Sequence, residues 1–530
     1  MNKFYYYYNP VCSGTNTPTT FGSDPYVTII KEMFISELQN LVYYIEKLKE
    51  LNINMTVFTD KVIKFIGTLI VNLDFNKESF FVIFEDLYNN KIMLKKMYIS
   101  ACQKENVKPN LLKNEHLQTS TKDFILKILN DKRTDYKLNN QTKQISASRK
   151  YLYEIIVCLV LTACNYLIEL KSYNINYEEG ENNVLNFFNN SNNTEFNEED
   201  IKQKIKVFLS TNYKIIKELY NCIENKYGKV SLSNVPIIKK EGKSILVSGN
   251  NLNDLKNLLN AIEGLNINVY THNGMIKAFM YEFFRNNPNI AGHYQYSENN
   301  FSIDFASFPG PIFICGNSTP KIDLIRGQIY TTAKYPAFGI ARIENNDFSN
   351  LIEYALDSKG FEKEENINTI EIGYDTKTIE EVINDITIKK KNNSINKIII
   401  IGMSNDYEFN DCIYNNIIDK FKDTDYIISF VRNTKRNNFK FINTFYDFSL
   451  LYEIIEKLKR NIPEIEKEIL IYINECNKIT ISHIFNLRHL GVEKIFLGQC
   501  CPNIINTALL TALDELYGIK QFNVNNFEIN

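Results

Sequence analysis

From about Val27 to Tyr227, apolar residues recur every three to four positions, as in YVTIIKEMFISELQNLVYYIEKLKEL and IKQKIKVFLSTNYKIIKELYNCI. β-Branched alternating runs are scarce there, so the spacing predicts amphipathic helices packed as a bundle. Residues 178–200, EEGENNVLNFFNNSNNTEFNEED, are Asn-rich and acidic, and a surface loop or insertion is expected for them. After Lys240 the rhythm changes. Short apolar runs (KSILVSG, INVYTH, FPGPIFICGN) alternate with helical stretches such as NLNDLKNLLNAIEGL, the signature of a parallel sheet built from βαβ units. A second series starts near Thr369, with NKIIIIGMSND, TDYIISFVRN, KEILIYINEC and VEKIFLGQCC as buried strands and SLLYEIIEKLKRN as an intervening helix. The expected fold is therefore α + α/β: an N-terminal helical bundle (1–235) followed by two doubly wound, Rossmann-like parallel-sheet domains (236–368 and 369–530).

Composition narrows the function classes. Sixty Lys and Arg against sixty-two Asp and Glu leave a net charge of −2 without a basic block, which argues against nucleic-acid binding. MNKFYYYYNP has no apolar core of a signal peptide, and no uninterrupted apolar run reaches about 18 residues, so a cytoplasmic protein without a membrane span is expected. That compartment makes a disulfide framework unexpected for the ten cysteines. Cys102, Cys158, Cys164 and Cys222 fall in helical apolar sequence, where a thiol packs as a small hydrophobe. There is no CxxC, and the five histidines show neither HxxxH nor HExxH spacing. Cys500 and Cys501 are adjacent where an expected strand gives way to a helix, a place where α/β proteins house chemistry.

The segments GKSILVSGNNLNDL, GLNINVYTHNGM, FASFPGPIFICGNS, GQIYTTAKYPAFGIARI, FSNLIEYALDSKGF and LGVEKIFLGQCCPNIINTALLTALDELYGIK fall in the order and approximate spacing of matching segments in one family. The chain resembles the hybrid cluster proteins, also called prismane proteins or hydroxylamine reductases, over essentially its whole length. That resemblance implies a three-domain fold, a 4Fe-4S or 2Fe-2S cluster near the N-terminus and a hybrid Fe-S-O cluster held by one histidine, two glutamates and four cysteines. In register, the N-terminal cluster cysteines fall on Tyr5, Tyr8, Thr15 and Phe21, with only Cys12 nearby. The hybrid-cluster ligands fall on Asn250, Gly274, Ser318, Met403 (or Ser404 with a one-residue slip), Arg432, Asp447 and Asn477, and a lysine beside the cluster on Ile479.

Thiolates hold iron in such centres, glycine offers no donor, and an arginine is a permanent cation, so no cofactor is expected. The resemblance then implies a member that has lost both clusters and their redox catalysis: a pseudoenzyme serving as a binding or interaction module. Its partner would be an intact paralogue or a small polar or anionic ligand, and Arg432 and Asp447 would pair in the emptied cavity. The alternative is an active oxidoreductase of hydroxylamine reductase or nitric oxide reductase type, with its ligands drawn from other cysteines. A third reading is a different enzyme in which His272, Ser318, Arg432 and Asp447 meet at strand ends. Cys500 and Cys501 match no cluster ligand and read as bystanders, as does Cys315. His272 matches a family histidine outside the ligand set, which points to a packed or hydrogen-bonded role.

Overall fold

The computed structural model of the protein describes residues 25–71, 77–112, 122–123, 126–127, 147–190, 198–294, 301–316, 328–336, 339–402, 417–430, 434, 436–444, 448–473, 478–497 and 513–521. The chain divides into two compact units, the described part of the first ending at Ile215 and that of the second beginning at Ile216.

The first unit is helical: α1 (Pro25–Glu50), α2 (Thr56–Val71), α3 (Lys77–Lys104), α4 (Ala147–Ser172), α5 (Glu178–Asn190) and α6 (Glu198–Tyr227), the last running on across the division. In α1 the apolar stripe Phe34, Leu38, Leu41, Val42, Ile45 and Leu48 is fully buried, as the three-to-four spacing requires. Asparagine ends three of these helices. Asn52, Asn106 and Asn174 take positive φ just past α1, α3 and α4, and the next amide bonds back to a carbonyl five residues earlier (Ile53 to Leu48, Val107 to Cys102, Ile175 to Leu170). This is the Schellman closure, with asparagine in the place glycine usually takes. A buried ion pair, Lys91 Nζ to Glu37 Oε2 at 2.8 Å, joins α3 to α1. By length and composition the stretch Ile155–Ser172 could cross a membrane, but 67% of it is buried within the unit as a core helix.

One expectation fails here. Glu178–Asn190 is the helix α5, although its composition reads as loop. Val184, Leu185, Phe187 and Phe188 fall on one buried face, while Asn182 and Asn186 face solvent. Position outweighs composition, because four apolar side chains on one face bury enough surface to order the segment.

Among the described residues, the second unit contains two six-stranded sheets, parallel throughout. The first uses β2 (Lys243–Gly249), β3 (Ile267–His272), β4 (Ile290–His293), β5 (Ile312–Cys315), β6 (Ile329–Thr331) and β7 (Ala341–Arg342) in the order β4-β3-β2-β5-β6-β7. The second uses β9 (Ile398–Gly402), β10 (Tyr426–Ser429), β11 (Phe439–Phe441), β12 (Ile469–Ile473), β13 (Lys494–Leu497) and β14 (Lys520–Gln521) in the order β11-β10-β9-β12-β13-β14. Both begin at a central strand, grow to one edge, then return to grow to the other. The winding reverses beside β2 and beside β9, and in such sheets ligands bind outside the carboxyl ends of the strands at that reversal. A separate antiparallel pair joins β1 (Ser233–Lys239) to β8 (Glu365–Ile372), so the expected boundary at 368/369 falls inside a paired strand. The buried runs of β3, β9 and β12, and of β2 from Ser244 on, reflect sheets covered on both faces, by helices such as α7 (Leu252–Ala261), α8 (Phe301–Ser307), α9 (Ser349–Asp357), α10 (Thr376–Lys391), α11 (Phe448–Asn461) and α12 (Lys478–His489).

Candidate functional site: the carboxyl ends of β2, β3 and β5

In the first sheet, parallel register sets Ser248 beside His272 and Gly249 beside Cys315. Gly249 has φ +111°, and a Cβ there would sit 2.5 Å from the Cys315 carbonyl oxygen, so only glycine lets β2 close so tightly on β5. Gly402 ends β9 in the second sheet with the same left-handed sign, φ +133°. Beyond Gly249 the chain turns into α7, whose N-cap is Asn251: its side-chain oxygen accepts from the amides of Asn253 (2.9 Å) and Asp254 (3.2 Å). Asp254 then ties this turn to the neighbouring strand ends, its Oδ2 accepting from Gly316 N at 2.7 Å and from Thr332 Oγ1 at 2.6 Å. Burial raises the Asp254 carboxyl above its usual range, and those two hydrogen bonds pull it partly back. Burial likewise pushes the Cys315 thiol well up, with Asp254 adding to the effect and Lys277 opposing it, so Cys315 is an inert packed thiol.

Two residues past the Ser248–His272 pair come Asn250 and Gly274. Asn250 is exposed, and Gly274 is half-buried in the 3-10 helix Asn273–Met280. Asn250 leans over Gly274, for a Cβ on Gly274 would overlap the Asn250 Oδ1. The glycine is what leaves room for the amide. Neither residue offers a thiolate, imidazole or carboxylate, so this corner does not fit an iron–sulfur centre. Among the described residues, no group of three or more His, Cys, Asp or Glu side chains is placed to hold a metal ion.

One layer below lies a buried polar chain that no local spacing announces. Ser248 Oγ is 3.0 Å from His272 Nδ1, and His272 Nε2 is 3.2 Å from Asp304 Oδ2. His272 and Asp304 are fully buried, and Ser248 is 5% exposed. The strand ends β2 and β3 supply the first two groups, while α8 supplies Asp304 together with Phe305, whose ring lies 5.2 Å from the imidazole. In the neutral tautomer whose Nε2 donates to the Asp304 carboxylate, Nδ1 accepts from the Ser248 hydroxyl. The hydrogen-bonded role expected for His272 is what its surroundings display. Beside it, Thr271 Oγ1 lies 2.9 Å from His293 Nδ1. In the second sheet His483 of α12 is also buried, stacked on Phe448 at 3.8 Å and 2.6 Å from the Tyr452 hydroxyl, and burial pushes its pKa down to about 3.

Of the positions where the resemblance puts hybrid-cluster residues, Asn250 and Gly274 meet, and Ile479 lies in the first turn of α12. Ser318, Met403, Ser404, Arg432, Asp447 and Asn477 lie outside the described residues, as do Tyr5, Tyr8, Cys12, Thr15, Phe21, Cys500 and Cys501. The expected Arg432–Asp447 pair lies outside them with its two members. Of the expected grouping of His272 with Ser318, Arg432 and Asp447, only His272 lies among the described residues, where Ser248 and Asp304 are hydrogen-bonded to it. Cys102, Cys158 and Cys164 are buried core residues, as the helical pattern suggests, and Cys222 is half-buried.

The profile of the Prismane/CO dehydrogenase family matches residues 22–429. A hydroxylamine reductase of Methanocella arvoryzae is 27% identical over 315 residues, which is 56% of this chain and 57% of that protein. A hydroxylamine reductase of Salmonella typhi is 26% identical over 330 residues, 58% of this chain and 59% of that protein. The matched region thus spans little more than half of these relatives' length. A solved structure of acetyl-CoA synthase/carbon monoxide dehydrogenase aligns over 96% of this chain and 83% of its own with a TM-score of 0.48 and 9% identity.

Proposed function

Because this chain belongs to the Prismane/CO dehydrogenase family, we propose that it is a hybrid-cluster-type fold that has lost both iron–sulfur centres and hydroxylamine- or nitric-oxide-reducing catalysis with them. What remains is a cytoplasmic pseudoenzyme, a binding or interaction module whose partner is an intact paralogue or a small polar or anionic ligand. The observation that carries this reading is the Asn250–Gly274 corner. Two adjacent strand ends, where the family resemblance calls for an imidazole and a carboxylate, present an amide leaning on a bare glycine. Restoring a glutamate at 274 would require Asn250 to leave its place, so the two residues are matched to each other rather than to a metal. The nine other ligand positions carry no cysteine, histidine or glutamate, which supports the same reading.

A second reading rests on the names of the curated relatives, which are hydroxylamine reductases. It requires thiolates from elsewhere in the chain. The two readings part in one assay: hydroxylamine consumption by the anaerobically purified protein with reduced methyl viologen as electron donor. The pseudoenzyme reading expects a rate equal to that of buffer, and sustained turnover by the pure protein overturns it.

A further inference from the structure

We propose that Ser248 is a nucleophile for small acyl electrophiles, activated by His272 and Asp304. This adds a hydrolytic activity to a chain whose proposed loss is of redox catalysis alone, and it does not depend on that loss. Three observations converge on the serine. Its hydroxyl is 3.0 Å from one imidazole nitrogen, and the other nitrogen is 3.2 Å from a fully buried carboxylate, the arrangement in which a base is oriented by a third group. It is the penultimate residue of the strand at which the sheet reverses its winding, where α/β folds bring ligands. Two residues further along each strand's path come Asn250, exposed and carrying an amide donor, and the half-buried Gly274, which has no side chain.

Burial sets the substrate class. Ser248 is only 5% exposed, so the acyl group is small, of acetyl size. In the first step a bond forms between Ser248 Oγ and the carbonyl carbon of an ester, and the hydroxyl proton passes to His272 Nδ1. The ester carbon–oxygen bond then breaks, and the leaving alcohol takes that proton. Water attacks the acyl-serine, gives its proton to Nδ1 and releases the carboxylic acid, and Ser248 recovers its hydrogen. Nothing is oxidised or reduced. Asp304 acts through His272, holding the tautomer that presents Nδ1 as the base.

The test uses the full chain. The folded protein is incubated with an alkyl fluorophosphonate, digested and mapped by peptide mass spectrometry, and its hydrolysis of p-nitrophenyl acetate is followed in parallel. The expected result is one adduct per chain, on Ser248, with ester hydrolysis reduced at least tenfold in Ser248→Ala. Asp304→Asn is expected to slow the labelling at least tenfold, and an Asp304→Asn protein that does not fold leaves the wild-type adduct to decide. A folded wild type that carries no adduct on Ser248, or equal ester hydrolysis by wild type and Ser248→Ala, overturns the proposal and leaves the chain as packing that fastens α8 to the sheet.

Discussion

Truncating Asp304 to alanine probes the buried polar chain where it is most exposed to loss. The carboxylate accepts from His272 Nε2 at 3.2 Å, and both side chains are fully buried. Its removal leaves a buried N–H without that acceptor, at a cost of about 1–3 kcal/mol, and the vacated volume adds about 1 kcal/mol. Ser248→Ala removes one neutral hydrogen bond at the other end of the imidazole and leaves an acceptor nitrogen, at about 1 kcal/mol. The reasoning therefore orders the two: Asp304→Ala loses roughly 3 kcal/mol and Ser248→Ala roughly a third of that. At about 2–4 °C per kcal/mol for a unit of a few hundred residues, Asp304→Ala lowers the melting temperature by about 6–12 °C. Scanning calorimetry on the two variants and the wild type reads this directly. Equal losses for both variants, or an Asp304→Ala protein that melts with the wild type, would refute the view that the carboxylate anchors the imidazole.

Three further outcomes follow from the same geometry. Gly249→Ala should destabilise by about 2 kcal/mol or more, since the new Cβ meets backbone at left-handed φ, whereas Gly274→Ala should cost under about 1 kcal/mol because only the Asn250 amide must swing aside; urea denaturation compares them. His483 has its folded pKa depressed to about 3 against an ordinary value of 6.5, so the unfolded chain binds the extra proton between these values. The stability this burial permits is complete above pH 6.5 and is lost as pH falls towards 3, by about 2 kcal/mol at pH 5; the loss from pH 7 to 5 should shrink by about that amount in His483→Gln, and an unchanged acid limb would speak against it. EDTA should leave the melting temperature unchanged to within about 1 °C, whereas a drop of several degrees would reveal a structural metal.

The architecture was legible because its signals are local. Short β-branched apolar runs closed by glycine, such as KSILVSG and KIIIIG, read as covered strands, and both prove central in their sheets. The helix α5 was hidden because residues 178–190 were weighed by their asparagines and glutamates, while the four apolar residues that decide the matter share one face. Asparagine carried a second meaning that composition cannot convey, since Asn52, Asn106 and Asn174 stop helices by taking the left-handed turn. At the candidate site, Asn250 and Gly274 follow readable strands. Their mutual fit depends on parallel register, which pairs residues 24 positions apart in sequence. Asp304 was out of reach for the same reason: it comes from α8, which follows β4, and only the folded sheet sets it against His272.

The central claim, that this family member no longer carries its clusters, is tested most directly by counting iron and acid-labile sulfide in protein expressed with iron supplied and purified without oxygen. The account predicts iron well below one atom per chain and no broad visible absorption, since the eleven positions where the resemblance puts ligands offer no thiolate, imidazole or glutamate. Four or more iron atoms per chain, with matching sulfide, would contradict it.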